Sequence, residues 1–96
     1  MVSDETLNEW LVKCRSKSRK AETVLLRNAI INYLWLNIKT QQKYIAEFLN
    51  FERSTISVVS RQHHVLSKNN YYSNIYKSLD DSNLYNIYLK FISEKK

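Results

Sequence analysis

In 96 residues this chain has neither a glycine nor a proline. Average usage would place roughly 7 Gly and 5 Pro in such a length. Glycine supplies the positive-φ positions of tight hairpins and proline the rigid corners, so a hairpin-rich β fold is disfavoured. Helices joined by Asn-, Ser- and Lys-rich turns are the expected solution. The missing glycines also exclude the phosphate loop GxxxxGK[ST], the dinucleotide fingerprint and the GxSxG elbow. No nucleotide and no cofactor is therefore expected. The length suits one domain, residues 1–96, with one small core.

Hydrophobic spacing predicts an all-α bundle of about six helices, without repeats. The first runs from Asp4 to Cys14, with Ser3 as N-cap, two acids in its first turn and a stripe of Leu7, Trp10, Leu11 and Cys14. Residues 15–20 form a basic connector. A long helix over 21–38 is apolar on more than one face, which makes it the expected centre of the core. Thr40 is the candidate N-cap of the next helix. The stretch "SKNN" reads as a loop, followed by a short helix striped by Tyr71, Tyr72, Ile75, Tyr76 and Leu79. Asp80 or Asp81 caps the last segment, 80–96. The tyrosines are expected to pack in the core with their hydroxyls at the surface.

Cys14 is the only cysteine, so no internal disulfide and no cysteine-based zinc site is expected. His63 and His64 are adjacent and point about 100° apart on a helix, so they do not chelate one metal together. Cys14 with either histidine lacks an orienting acid and an oxyanion loop, and no catalytic residue is assigned. The longest apolar run, "AIINYLWLNI", is far short of a membrane span, and the acidic start lacks the order of a secretory signal. A soluble, cytoplasmic, nucleoid-associated protein without a membrane partner is the expectation.

The net charge is +6, unevenly distributed. Residues 13–77 hold twelve Lys/Arg against three acids, Glu22, Glu47 and Glu52. Such a cation-dense centre favours a polyanion, nucleic acid first.

The segment "QQKYIAEFLNFERSTISVVSRQ", residues 41–62, locates the contact surface. Helical patterning breaks at "NFERS" and restarts. With one helix over 42–49 and another from Arg53 to about Leu66, Ile45, Ala46 and Leu49 face inward from the first. Ile56, Val59, His63 and Leu66 do so from the second. Phe51 plugs the corner, and Asn50 takes the left-handed position where glycine usually sits. Ser54 or Thr55 is placed to satisfy a free amide in the first turn. This is the pattern of a helix-turn-helix, whose second helix enters the major groove. Its outward face carries Ser54, Ser57, Val58 and Arg61, with Arg53 at the flank. The arginines suit guanine edges or phosphates, the serines either, and Val58 a thymine methyl.

From about Ser16 to Leu79 the chain resembles the C-terminal DNA-binding domain of the bacterial chromosomal replication initiator DnaA. "SRKAETVLLRNAIINYL" resembles that family's basic connector and following helix, and "ERSTISVV" its Asp-His-Ser/Thr-Thr-Val signature. The resemblance implies recognition of a short duplex site. Arg19 matches the connector arginine that enters the minor groove, and a phosphate contact falls to Arg27 or Asn28. Glu52, Arg53 and Ser54 match the base-reading residues, and Thr55 a phosphate contact. Arg53 stands where the family has histidine and Glu52 where it has aspartate, so a different preferred site is implied. The expected contact set is Lys17, Arg19, Lys20, Arg27, Asn28, Lys43, Glu52, Arg53, Ser54, Thr55, Ser57, Val58 and Arg61.

Double-stranded DNA is thus the expected partner of a helix-turn-helix core over 21–79, in replication initiation or its control. One rival is a transcriptional regulator that forms a homodimer through the C-terminal helices. Another is a protein-interaction adaptor working through the tyrosine-rich helices.

Overall fold

A hydroxyl begins the first helix. Ser3 Oγ accepts the Thr6 amide at 3.2 Å, and α1 (Asp4–Arg15) buries Leu7, Leu11 and Cys14. A computed structural model describes residues 2–94; Lys95 and Lys96, the end of the expected C-terminal segment, lie outside them. Arg15 belongs to α1 and not to the connector. Its Nε donates to the Phe48 carbonyl at 2.9 Å, and its guanidinium lies over the Phe48 ring.

The expected long helix is two pieces. α2 (Ala21–Tyr33) is regular, but Leu34–Ile38 forms a π turn closed by left-handed Lys39 (φ 63°, ψ 41°). The amides of Lys39 and Thr40 both reach the Leu34 carbonyl. The wider turn keeps Leu34 in the core and puts Leu36 and Asn37 outside. Thr40 is not an N-cap: it is buried, and its amide helps to close the π turn. Gln41 holds the cap position of α3 (Gln42–Leu49) without a side-chain bond.

The break at Asn50 is present. Asn50 is left-handed (φ 59°, ψ 49°), and α4 (Arg53–Ser60) follows after three residues. α4 does not continue to Leu66. The Arg61 and Gln62 amides tighten onto the Val58 and Val59 carbonyls, and Ser60 Oγ bonds back to the Ser57 carbonyl at 2.8 Å. Such back-bonding competes with helix propagation. A separate single turn, α5 (His63–Leu66), comes after it. Nor does a hydroxyl cap α4, since Ser54 Oγ turns to the Glu52 carboxylate at 3.5 Å.

α6 (Asn70–Ser78) begins inside the expected loop, capped by Asn69, whose side chain accepts the Tyr72 amide. Asp80 opens α7 (Asp81–Glu94): its carboxylate takes the Ser82 amide at 2.9 Å and its carbonyl the Leu84 amide. Among the described residues all regular structure is helical, seven α-helices and one π turn.

α2 is the spine, with α6, α1 and α4 packed against it; α7 leans on α3 and the π turn. Ala29, Ile30 and Ile31 of the spine and Leu34 of the π turn meet Leu7, Leu11, Ile45, Phe48, Leu49 and Ile56 in one cluster. The radius of gyration, 12.2 Å, is that of a single close-packed unit, for which about 12.5 Å is expected. Tyr72 departs from the expected pattern of surface hydroxyls. It is fully buried, and its oxygen meets Asn32 Nδ2 at 3.0 Å and His63 Nδ1 at 2.7 Å.

Candidate functional site

α4 shows two faces. Ile56 and Val59 are buried, while Arg53, Ser54, Val58 and Arg61 are exposed, Val58 to 53%. Thr55 and Ser57 are half-buried between them, and an Arg61 terminal nitrogen donates to Ser57 Oγ at 3.4 Å. Val58 is the largest apolar group on this outer face, and its own protein leaves it uncovered.

A groove of about 450 Å³ runs between the start of α2 and α4. Val24, Arg27 and Asn28 line it on one side; Ser54, Thr55, Val58 and Gln62 line the other. Val24 and Gln62 are additions to the expected contact residues. Apolarity alone assigns Val24 to the core, and only the packing of α4 onto α2 places it at a lip. Gln62 is a groove residue because of the break after Ser60, for which no periodic signal exists.

Arg27 is fixed from two directions. Its Nε and a terminal nitrogen both donate to Asn28 Oδ1, at 3.0 and 2.8 Å, and its guanidinium lies 5.0 Å from the Phe51 ring centroid. Asn28 itself is only 6% exposed, and its Oδ1 is taken up by Arg27. Burial lowers the pKa of Arg27, yet a guanidinium starting from 12.5 stays charged at neutral pH. Lys17 approaches the same ring, with Nζ 5.6 Å from its centroid, from a left-handed backbone (φ 59°). Two cations thus share one aromatic side chain at the corner between α3 and α4. Cation–π attraction holds each in place at about 0.5–1 kcal/mol.

A second depression, of about 380 Å³, collects Lys43 and Arg53 with Trp35, Gln41 and Gln42 where α3 and α4 begin. Gln42 Nε2 ties α3 to α4 through Ser60 Oγ at 3.2 Å. Lys43 Nζ sits 4.9 Å from the Tyr44 ring centroid. Glu52 is exposed at the N-cap position of α4, where a carboxylate opposes the helix dipole favourably. Arg19 and Lys20 are exposed in the segment leading into α2, the latter at its N-cap position. The structure therefore gathers Lys17, Arg27 and Asn28 beside Ser54, Thr55 and Val58, and Lys43 beside Arg53. Lys43 and Arg53 line a different depression from the Arg27 groove.

Burial pushes the Cys14 thiol up to about 11, and it remains protonated at neutral pH. Among the described residues no three His, Cys, Asp or Glu side chains converge as a metal site would need. No helix among them is long and apolar enough to cross a membrane. Comparison with protein-family models, curated proteins and solved structures finds no match for this chain.

Proposed function

We propose that the chain is a sequence-specific duplex-DNA-binding module that uses α3, the Asn50 turn and α4 as a helix-turn-helix. The observation that carries this reading is the outer face of α4, where Arg53, Ser54, Val58 and Arg61 are open to solvent. At 1.5 Å per residue the eight residues of α4 span about 12 Å, a length a major groove about 12 Å wide admits. Arg53 and Arg61 offer paired donors for guanine O6 and N7 or for phosphate, and Val58 a surface for a thymine methyl. Lys17 and Arg27, pinned on Phe51, would meet phosphates on one side of the groove, and Lys43 on the other. Arg19 and Lys20 would extend the contact along the backbone or into the adjacent minor groove. Phosphate contacts position such a module, and the helix face supplies discrimination.

The resemblance of "SRKAETVLLRNAIINYL" and "ERSTISVV" to the DnaA C-terminal domain supports the same docking and favours a role in replication initiation or its control. Selection of bound oligonucleotides from a random duplex pool tests the reading directly. A recovered consensus would support it; retention of random sequence only, or of none at low salt, would remove it.

A regulator acting as a symmetric dimer is the second reading. Tyr85 and Leu89, one turn apart on α7, are 43% and 41% exposed, and Leu36 of the neighbouring π turn is 41% exposed. Light scattering with and without a palindromic duplex separates it from a monomeric module.

A further inference from the structure

We propose that His63, Tyr72 and Asn32 form a proton-sensitive latch that holds α5 against α2 and α6 and opens when the His63 imidazole takes up a second proton. This device stands apart from duplex binding and holds whether or not the chain binds DNA.

Hydrogen-bond direction sets the closed state. Asn32 Nδ2 donates to the Tyr72 oxygen at 3.0 Å, and we assign the hydroxyl as donor to His63 Nδ1, 2.7 Å away, because that gives the buried O–H an acceptor. With Nδ1 as that acceptor, His63 is a neutral imidazole carrying its proton on Nε2, the tautomer that gives the buried Tyr72 hydroxyl a partner. A second proton on the ring sets an N–H against an O–H. The Tyr72 hydrogen would have to turn to another acceptor, and Asn32 Oδ1 is a buried acceptor without a partner among the described residues. Reaching it requires the Asn32 amide to flip, which leaves the Nδ2 donors buried and unsatisfied. Leaving a buried donor unsatisfied costs about 1–3 kcal/mol. Charge on the ring adds to this cost.

The surroundings offer that charge no relief. The adjacent His64 opposes a charge on the ring, while α6 contributes the neutral Tyr72 and Tyr76, the latter with its ring centroid 4.7 Å away. From α2 the site receives the neutral Asn32. Beyond this, α5 has little to hold it: no residue of His63–Leu66 is buried, Val65 is 56% exposed and Leu66 is half-buried. His63 and Leu66, which packs against the core cluster, carry the attachment, so loss of the His63 bond leaves the turn held by Leu66 alone and frees the ring to leave.

Hydrogen exchange of the Leu66 and Ser67 amides reads the latch, because they bond to the Gln62 and His63 carbonyls at 2.8 Å. Exchange is measured by NMR at pH 7.5 and 5.0, corrected for the intrinsic rate, beside the His63 Cε1–H chemical shift. In the wild-type chain their protection should fall severalfold at pH 5.0, while that of Ile30 and Ile31 in α2 stays constant. His64→Gln should keep the fall, His63→Gln should abolish it, and Tyr72→Phe should show weak protection at both pH values. A His63 ring that titrates without loss of protection would overturn the proposal, since the Asn32 flip would then absorb the proton. So would a fall that persists in His63→Gln. The wild-type titration alone is enough to decide the first of these outcomes, whether or not a variant folds.

Discussion

The amide of Phe51 reaches back across Asn50 to the carbonyl of Ala46, at 2.9 Å, while the Asn50 amide bonds to the Glu47 carbonyl at 3.3 Å. The paired bonds are those of a Schellman motif, and they require the left-handed conformation at Asn50. In a chain without glycine, asparagine is the side chain that takes this conformation at least cost. Asn50→Ala is expected to destabilise by about 1 kcal/mol and Asn50→Gly to be neutral or slightly stabilising. Urea denaturation of the three proteins checks this. An Asn50→Ala protein as stable as the parent would mean that the corner is held by packing alone.

Phe51 links this corner to charge placement, because both Lys17 and Arg27 lie on its ring. Phe51→Leu keeps an apolar plug, and a loss of stability under about 1.5 kcal/mol is expected. Its effect on duplex binding should be larger than its effect on folding would suggest. With both cations released, affinity at low salt should drop about threefold to tenfold, the size of one or two exposed cation–π contacts. Unchanged duplex titrations would separate the ring from the binding surface.

Arg53 and Lys17 should fail differently. Arg53→Ala is expected to cost about 1–3 kcal/mol on a preferred duplex and much less on a scrambled one. Lys17→Ala should weaken both alike and reduce the salt slope by about one. Fluorescence titrations over a range of salt supply both numbers. Equal losses on both duplexes for Arg53→Ala would assign that side chain to phosphate.

Cys14 sits in the core beside Arg15 and Arg27, with burial holding its thiol up to about 11. Because the thiolate is the nucleophile, an aromatic disulfide reagent at pH 8 should label the native protein only as fast as it unfolds. Urea should release full reactivity. Rapid labelling of the folded chain would show that α1 separates readily from α2.

Stability should depend on pH through His63. Burial and His64 lower its pKa in the fold from the ordinary 6.5. The unfolded chain therefore binds more protons between the lowered value and 6.5, and stability rises with pH across that window. The contribution is complete above 6.5 and is lost as pH falls through 6.5 toward the lower value. Urea midpoints at pH 7.5 and 5.0 should differ more for the wild-type chain than for His63→Gln.

The positions legible in the sequence are those set by local chemistry. Ser3 as a cap, the α3 boundaries and the left-handed Asn50 follow from side-chain type within one turn. Ile56 and Val59 as the inner face of α4 follow from spacing. What stays hidden depends on contacts between distant segments. The π turn is closed by the Lys39 and Thr40 amides on the Leu34 carbonyl, and Thr40 is buried there. α4 stops short where Ser60 bonds back to Ser57, and the ring of His63 meets Tyr72 nine residues on. Within the contact surface, the exposed Arg53, Ser54, Val58 and Arg61 are readable as an outward face. The burial of Asn28 and its grip on Arg27 are not, because nothing in the order of residues says which of two neighbouring polar side chains turns inward.

The widened turn at Leu34–Ile38 has an effect on tolerance to length change. A π turn holds one more residue than an α turn at the same place. Loss of a single residue there can be absorbed by tightening into regular helix, with the spine before it and the α3–α4 pair after it keeping their mutual register. The same deletion inside Ala21–Tyr33 would rotate every following side chain by about 100° and turn the core face outward.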